Sequence, residues 1–362
     1  MNKPLRKKRY YSASLFDIVG KMEQTNASAS ELRTPIFAPV DKISHNSVLY
    51  REFKNNKGIR TVATSWGEIT TRGRVLLGQQ HRDILDCIYI NASEYQMTEL
   101  GRMRIYFNRR QMLGIYNKNA TNNHTWLRQK LEEIRDTAIK YKTQDGNTSD
   151  FNIISHIDYS ASYGAYCIEL DERYVRFYAQ DLSIGYQKLL PQILGLENSV
   201  IKSIVRFLLS HTHIKISLDN TLSAIGYSLC NISSVAKRKF LKELKNTKEI
   251  LFEQFNISYN DEFKLFEYEK HKDVNFIFPI KTALETTKEL EIEVVHLINK
   301  PVTREFFEKG VKVTAFIQAI MTKKHPLTNK NEYAVILRFP DNRILEIEDT
   351  FPTLLSIKKI ID

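Results

Sequence analysis

Residues 102–141 read RMRIYFNRRQMLGIYNKNATNNHTWLRQKLEEIRDTAIKY, and the changes of period within them decide the fold. Arg102-Met-Arg-Ile-Tyr-Phe107 alternates like a short strand. Asn108 is a residue type that caps helices, and a short helix over 109–117 follows. A polar turn, Asn119 to Asn123, precedes a second helix. There Leu127, Leu131, Ile134, Ala138 and Tyr141 fall at i, i+4, i+7, i+11 and i+14, one apolar stripe, while Thr125, Arg128, Gln129, Glu132 and Arg135 face the other way. Upstream, Leu77, Ile84, Leu85 and Ile88 recur at helical steps, with Gln79-Gln-His-Arg82 as the polar face. Downstream, strand-like runs Phe151–Ile157 and Ala165–Leu170 flank Gly164. Strand, short helix, turn, long basic helix and β-hairpin in that order is a winged helix-turn-helix.

The pattern recurs. Ser199–Leu209 is an apolar helix and His213–Leu218 alternates like a strand. Asp219 is placed to cap a short helix through Tyr227, Leu229–Ile232 is the turn, and Ser233 or Ser234 caps a basic helix. In it Ala236, Phe240, Leu244 and Thr247 line one face, and Lys237, Arg238, Lys242 and Lys245 the opposite one. A hairpin of Phe252–Tyr259 and Phe263–Tyr268 turns at Asn260-Asp261. A shift of 110 residues superposes Ile115 on Ile225, Arg128 on Arg238, Leu131 on Leu241, Ile134 on Leu244, Arg135 on Lys245 and Thr137 on Thr247. Two copies of one module account for this order.

The expected organisation is α+β: a basic N-terminal segment and linker (1–40), a first winged-helix domain (41–180), a second (181–282), and a small C-terminal α/β element (283–362). In the N-terminal segment Ser14–Val19 is a short apolar element, and the polar tract Thr25–Ser30 is a linker. In the last element Leu290–Leu297 reads as a strand and Arg304–Lys323 as mostly helix. Tyr333–Phe339 and Ile344–Ile347 pair across Pro340–Arg343.

Charge follows the same map. The chain has 362 residues, 53 Lys and Arg against 42 Asp and Glu, a net charge of +11 and a pI of about 9.3. Residues 1–16 carry +5, residues 102–142 carry +7 and residues 232–252 carry +4, so all the rest sums to −5. Such clustering is the footprint of a phosphate-rich partner. An apolar fraction of 42%, with 18 Tyr and 19 Phe, argues against a disordered chain. Three scattered cysteines with no C-x-x-C argue against a disulfide framework and a Cys-based zinc site, and fit a reducing compartment. Apolar runs such as Phe316–Met321 are far shorter than the ~18 residues that span a bilayer. Asp17 interrupts what would be the apolar core of a signal peptide. A soluble, intracellular protein is expected.

A helix fits the major groove of DNA, with its first turns against base edges and its basic groups on phosphates. The candidate contacts are therefore Asn123, Thr125, Arg128, Gln129 and Arg135 on the first basic helix. On the second they are Ser234, Lys237, Arg238, Lys242 and Lys245. Asn and Gln suit adenine and Arg suits guanine, whereas Lys more often holds phosphate. Against an enzyme, no G-x-x-x-x-G-K and no H-x-x-R occurs. His211-Thr-His213 is the one hint of a metal-dependent nickase, and its middle residue is Thr where an apolar one is wanted. Trp66 and Trp126 read as core.

Five features together resemble the replication initiators of bacterial plasmids, in the TrfA-like branch related to the RepE and pi initiators. They are Ser14-Leu-Phe16 after a basic N-terminus, Gly73–Ile88 (GRVLLGQQHRDILDCI), Arg104-Ile-Tyr-Phe107, the helix Trp126–Tyr141 and the second basic helix. The resemblance covers roughly residues 10–280. It implies tandem winged helices that bind direct repeats (iterons) in double-stranded origin DNA as monomers, with dimers inactive or autorepressing. It also implies recruitment of the host initiator DnaA and the helicase DnaB in the bacterial cytoplasm, with no catalysis and no cofactor. The neutral segment 285–362 departs from the pattern, and dimerisation or host-factor contact are its expected roles. A winged-helix transcriptional repressor is the alternative reading, with a rolling-circle nickase after it.

Overall fold

The tract expected as a linker is buried from Thr25 to Ala29. It follows helix α1 (Leu15–Gln24) and supplies strand β1 (Ala27–Ser28), which runs into helix α2 (Ala29–Arg33). Most of its small polar groups find partners: Thr25 donates to the Lys21 carbonyl at 2.7 Å, the Asn26 side-chain oxygen accepts from the Tyr186 N–H at 2.9 Å while its amide nitrogen has no partner among the described residues, and Ser28 and Glu31 cap α2 reciprocally. Polar groups that are satisfied in this way are buried at little net penalty. The structure, a computed structural model of the chain, describes residues 15–41, 48–98, 100–117, 123–280, 301–305, 312–324, 331–338 and 344–351. It is mixed α and β, with eleven helices and several antiparallel sheets among these residues.

Helix α3 (Val48–Asn55) precedes a hairpin of β2 (Ile59–Thr64) and β3 (Gly67–Arg72). Helix α4 (Gln79–Asn91) leads to β4 (Ala92–Met97), β5 (Met103–Asn108), α5 (Arg109–Tyr116) and α6 (His124–Arg135). Strands β6 (Ala138–Thr143), β7 (Thr148–Asn152), β8 (Ile154–Ser160) and β9 (Ala165–Leu170) follow. Two antiparallel sheets result, ordered β2-β3-β6-β7 and β4-β5-β9-β8. Two expectations are corrected here. Helix α6 stops at Arg135, because Ala138–Thr143 pairs with β3 and β7; Ile139 and Tyr141 turn inward while Lys140 and Lys142 stay exposed. The run Phe151–Ile157 is two strands, broken at Ile153, and Ile154–Ser160 is the hairpin partner of Ala165–Leu170.

The second half begins with α7 (Glu172–Gln180), β10 (Ser183–Gly185) and α8 (Leu190–Gly195). Then come α9 (Ser199–Leu209), β11 (His213–Ser217), α10 (Leu218–Ala224) and α11 (Ser234–Phe255), followed by β12 (Ile257–Asn260), β13 (Leu265–Glu269) and β14 (Asn275–Ile277). Their sheets are β1-β10-β14 and β11-β13-β12. Helix α10 is capped by Ser217 rather than Asp219 and ends at Ala224, before Tyr227. Phe252, expected on a strand, lies in the last turns of α11. That helix ends only where Asn256 turns left-handed at φ 57°, a conformation Asn tolerates.

With β4, β6 and β7, which only the first stretch has, set aside, one order of elements occurs twice: helix, strand, helix, helix, strand, strand. Met103 and His213 open the matching first strands, and His124 and Ser234 the matching third helices, both pairs 110 residues apart. In each copy the first strand pairs with the last, which pairs with the middle one.

The leading helices of the copies, α4 and α9, are buried nearly all round. Gln79, His81 and Arg82, expected as a solvated face, are buried together with Asp83 and Asp86. The reason is on α9. Arg206 reaches Asp83 at 2.5 Å, Asp86 at 2.8 Å and Gln79 at 2.7 Å, and Lys202 reaches Asp83 at 3.1 Å. Arg82 bridges Asp86 at 2.6 Å and Glu31 at 3.5 Å, and Tyr186 donates to Asp86 at 3.0 Å. Three cations thus face three carboxyl groups, so the cluster is close to neutral as a whole. Residues 19–279 form one compact unit.

Residues 280–362 belong to a second unit. Its strands β15 (Pro301–Glu305), β16 (Lys312–Lys324), β17 (Asn331–Arg338) and β18 (Ile344–Phe351) make one antiparallel sheet in that order. The pairing expected of Tyr333–Phe339 with Ile344–Ile347 is present, with Val335 opposite Ile347 and Leu337 opposite Leu345. The helix expected over Arg304–Lys323 is not. Val313, Thr314, Ile317, Ile320 and Thr322 crowd that stretch with β-branched side chains, and buried Ala315 and Ile317 flank the more exposed Phe316 with period two. Leu290–Leu297 lies outside the described residues.

Candidate nucleic-acid interface

Helix α6 is positioned by its apolar side. Leu127, Leu131 and Ile134 are fully buried, and Asn108 caps the preceding α5 by accepting from the Arg110 and Gln111 N–H groups. A second tie runs to α4. His81 accepts from the Gly78 N–H through Nδ1 at 3.0 Å, so its Nε2 carries the proton and donates to Glu133 at 2.7 Å. Burial lowers the His81 pKa, in keeping with this neutral ring. Burial would raise the Glu133 carboxyl, but hydrogen bonds from His81 and Lys130 outweigh it and hold it down to about 2.

The outer face of α6 carries Asn123, whose side chain makes no capping bond, with exposed Thr125 and Gln129 and half-buried Arg128. Arg128 pairs with Glu132 at 2.6 Å, Gln129 donates to Glu133 at 2.9 Å, and Arg135 pairs with Asp136 at 2.8 Å. Exposed pairs of this kind are worth roughly 0–1 kcal/mol, so phosphates can exchange for the carboxylates. Arg135 sits in the last turn, roughly 10 Å along the axis from Arg128 at ~1.5 Å per residue, and is not part of the N-terminal group. Arg102 and Arg104 both pair with Glu169, which tempers the local charge, while Arg110, Lys140 and Lys142 are exposed and make no ion pair among the described residues.

Sequence reasoning missed an aromatic and cationic cluster at the start of α6. Tyr159 and Tyr166 lie opposite each other in the β8–β9 hairpin. Tyr166 shares a hydrogen bond with His124 Nδ1 at 3.0 Å, and the His124 and Tyr159 ring centres are 4.6 Å apart. Arg109 donates to the Tyr159 hydroxyl at 3.0 Å and sits over its ring. The available signal was the hairpin register, which a correct β8 boundary would have supplied.

Helix α11 is built alike. Ser233 caps it, accepting from the Ala236 N–H at 3.2 Å, and Phe240, Leu244, Leu251 and Phe255 are its buried stripe. Ser234, Lys237, Arg238, Lys242 and Lys245 are all exposed, as is Lys239. Between 234 and 245 five basic groups face one carboxylate, Glu243, which itself accepts from Asn198 at 3.0 Å. Among the described residues only Lys245 of these five is ion-paired, with Asp261 at 3.1 Å. Ala236, expected on the inner stripe, is exposed.

The two candidate metal histidines have separate partners. His211 packs on Phe207 and Trp66, its Nδ1 lies 3.0 Å from the Phe207 carbonyl, and burial aided by Arg33 lowers its pKa to about 4. His213 Nδ1 pairs with Glu269 at 2.6 Å. Among the described residues no three His, Cys, Asp or Glu side chains form a group that could hold a metal ion. Nor is any helix among them long and apolar enough to cross a membrane. Trp66 is partly buried against Phe207 and His211, and Trp126 is partly buried against Tyr116. Comparison of the chain with protein-family models, curated proteins and solved structures finds no match.

Proposed function

We propose that the chain is a sequence-specific double-stranded DNA-binding protein made of two winged helix-turn-helix modules, with α6 and α11 as recognition helices. The observation that carries this reading is the order and pairing that α4, β5, α5, α6, β8 and β9 share with α9, β11, α10, α11, β12 and β13, the first stretch holding β4, β6 and β7 in addition, with an outward polar or basic helix at the same place in each. Phosphate contacts from Arg110, Lys237, Lys242 and their neighbours supply affinity, and side chains of the first turns supply base discrimination. The buried α4–α9 cluster holds the two reading heads at one relative placement, which suits a single chain covering a whole repeat.

The resemblance to plasmid initiators extends the proposal. The protein binds origin direct repeats, bends and helps open adjacent A·T-rich DNA, and recruits DnaA and DnaB, acting by binding rather than by bond-making. The test is a plasmid without its own origin that carries this gene and its flanking DNA. Autonomous replication that is lost when direct repeats are deleted, or when Lys237 and Lys242 are both replaced by Ala, is the expected result. Replication indifferent to both changes would overturn the proposal. Supercoiled plasmid converted to nicked circles with protein left covalently attached would favour the nickase.

A further inference from the structure

The two helices match in side-chain shape at two positions of their openings, the second and the fifth. Asn123 and Ser233 stand at the N-caps, Thr125 and Val235 are the second helical residues, and Arg128 and Arg238 the fifth. Thr and Val are β-branched isosteres, each with a γ-methyl group. Both are exposed, Val235 at 66%. Exposed Ser234, Ala236, Lys237, Arg238 and Lys239 surround it, and the apolar face of α11 that meets the core belongs to Phe240, Leu244, Leu251 and Phe255. Val235 is therefore an exposed apolar side chain in the first turn, just ahead of the basic run Lys237–Lys239 and turned away from the core.

In the major groove of DNA, the apolar group a base edge offers is the C5-methyl of thymine. We propose that Val235 selects thymine by packing on that methyl, with Ala236 beside it and Lys237 and Arg238 on the flanking phosphates. This inference rests on the DNA-binding reading and sharpens it. The half-site read by α11 holds a thymine at one fixed position, whereas α6 presents the polar Asn123, Thr125 and Gln129 and reads its half chiefly by hydrogen bonds. An apolar contact discriminates less than a bidentate hydrogen-bonded pair, so the second half-site tolerates more sequence variation than the first.

The experiment uses the purified full chain and the tightest duplex it recovers from a random-sequence pool. Thymines in that duplex are replaced one at a time by deoxyuridine, which lacks only the methyl. The expected result is a loss of about fourfold at one or two adjacent positions, the equivalent of ~0.8 kcal/mol for one buried carbon. Val235→Ala, which keeps the helix and is checked by thermal unfolding, should bind the thymine duplex several-fold more weakly and lose nothing further at those positions. A parent chain insensitive to every deoxyuridine, or a Val235→Ala chain with undiminished sensitivity, overturns the assignment. If no duplex is enriched from the pool at all, the DNA-binding reading itself fails, a different and recognisable outcome.

Discussion

Asp83 on α4 and Arg206 on α9 meet at 2.5 Å with both side chains buried, at the contact between the two halves of the unit. Through α4 this contact also reaches α6, since His81 holds Glu133. Replacing Arg206 by Met removes one partner and leaves Asp83 and Asp86 short of a cation inside the protein. Breaking a buried pair from one side costs about 3–5 kcal/mol. Urea unfolding of Arg206→Met should show a loss of that order. A loss under about 1 kcal/mol would mean that water reaches the cluster and that it does not hold the halves together.

The buried histidines set a pH dependence. Burial, helped by the charge of Arg33, lowers His211 from 6.5 to about 4, and burial lowers His81 as well. In that window the unfolded chain takes up protons that the folded chain refuses, so stability falls as pH falls from 6.5 towards 4. Unfolding midpoints at about pH 7.5 and about pH 5 should differ in this direction, and the difference should shrink in His211→Gln, where the titrating ring is gone. An unchanged difference would show that His211 titrates freely in the folded protein.

Local signals were legible where one period stood alone. Ser199–Leu209 is apolar enough to be a helix in any context, and it is one to the residue. Asn108 caps α5 as its side-chain chemistry demands. Residues 138–141 were ambiguous, because Ala138 and Tyr141 extend the helical stripe while Ile139 and Tyr141 also alternate with Lys140 and Lys142. Pairing with β3, far away in sequence, decided for the strand. The polar side chains of Gln79–Arg82 read as a solvent face because partners of theirs lie far away in sequence: Arg206 for Gln79, Glu133 for His81 and Glu31 for Arg82. For the candidate interface, exposed lysines of α11 were readable from helical spacing alone. The cluster of Arg109, His124, Tyr159 and Tyr166 was not, since it depends on hairpin register.

Salt should weaken binding steeply. Each phosphate neutralised on duplex DNA contributes a slope of about −0.9 in log affinity against log salt. Lys237→Ala with Lys242→Ala should weaken binding to all sequences alike and make the slope shallower by roughly 2. A slope unchanged by the double substitution would take α11 off the phosphate backbone.

The most direct measurement is a hydroxyl-radical footprint of the chain on its preferred duplex, taken for the parent and two variants. Two protected patches are predicted from one chain. The first should be lost in Arg128→Ala with Gln129→Ala, and the second in Lys237→Ala with Arg238→Ala, each while the other patch persists. A single patch, or two patches that neither pair of substitutions disturbs, would contradict the account of two reading heads held by one buried cluster.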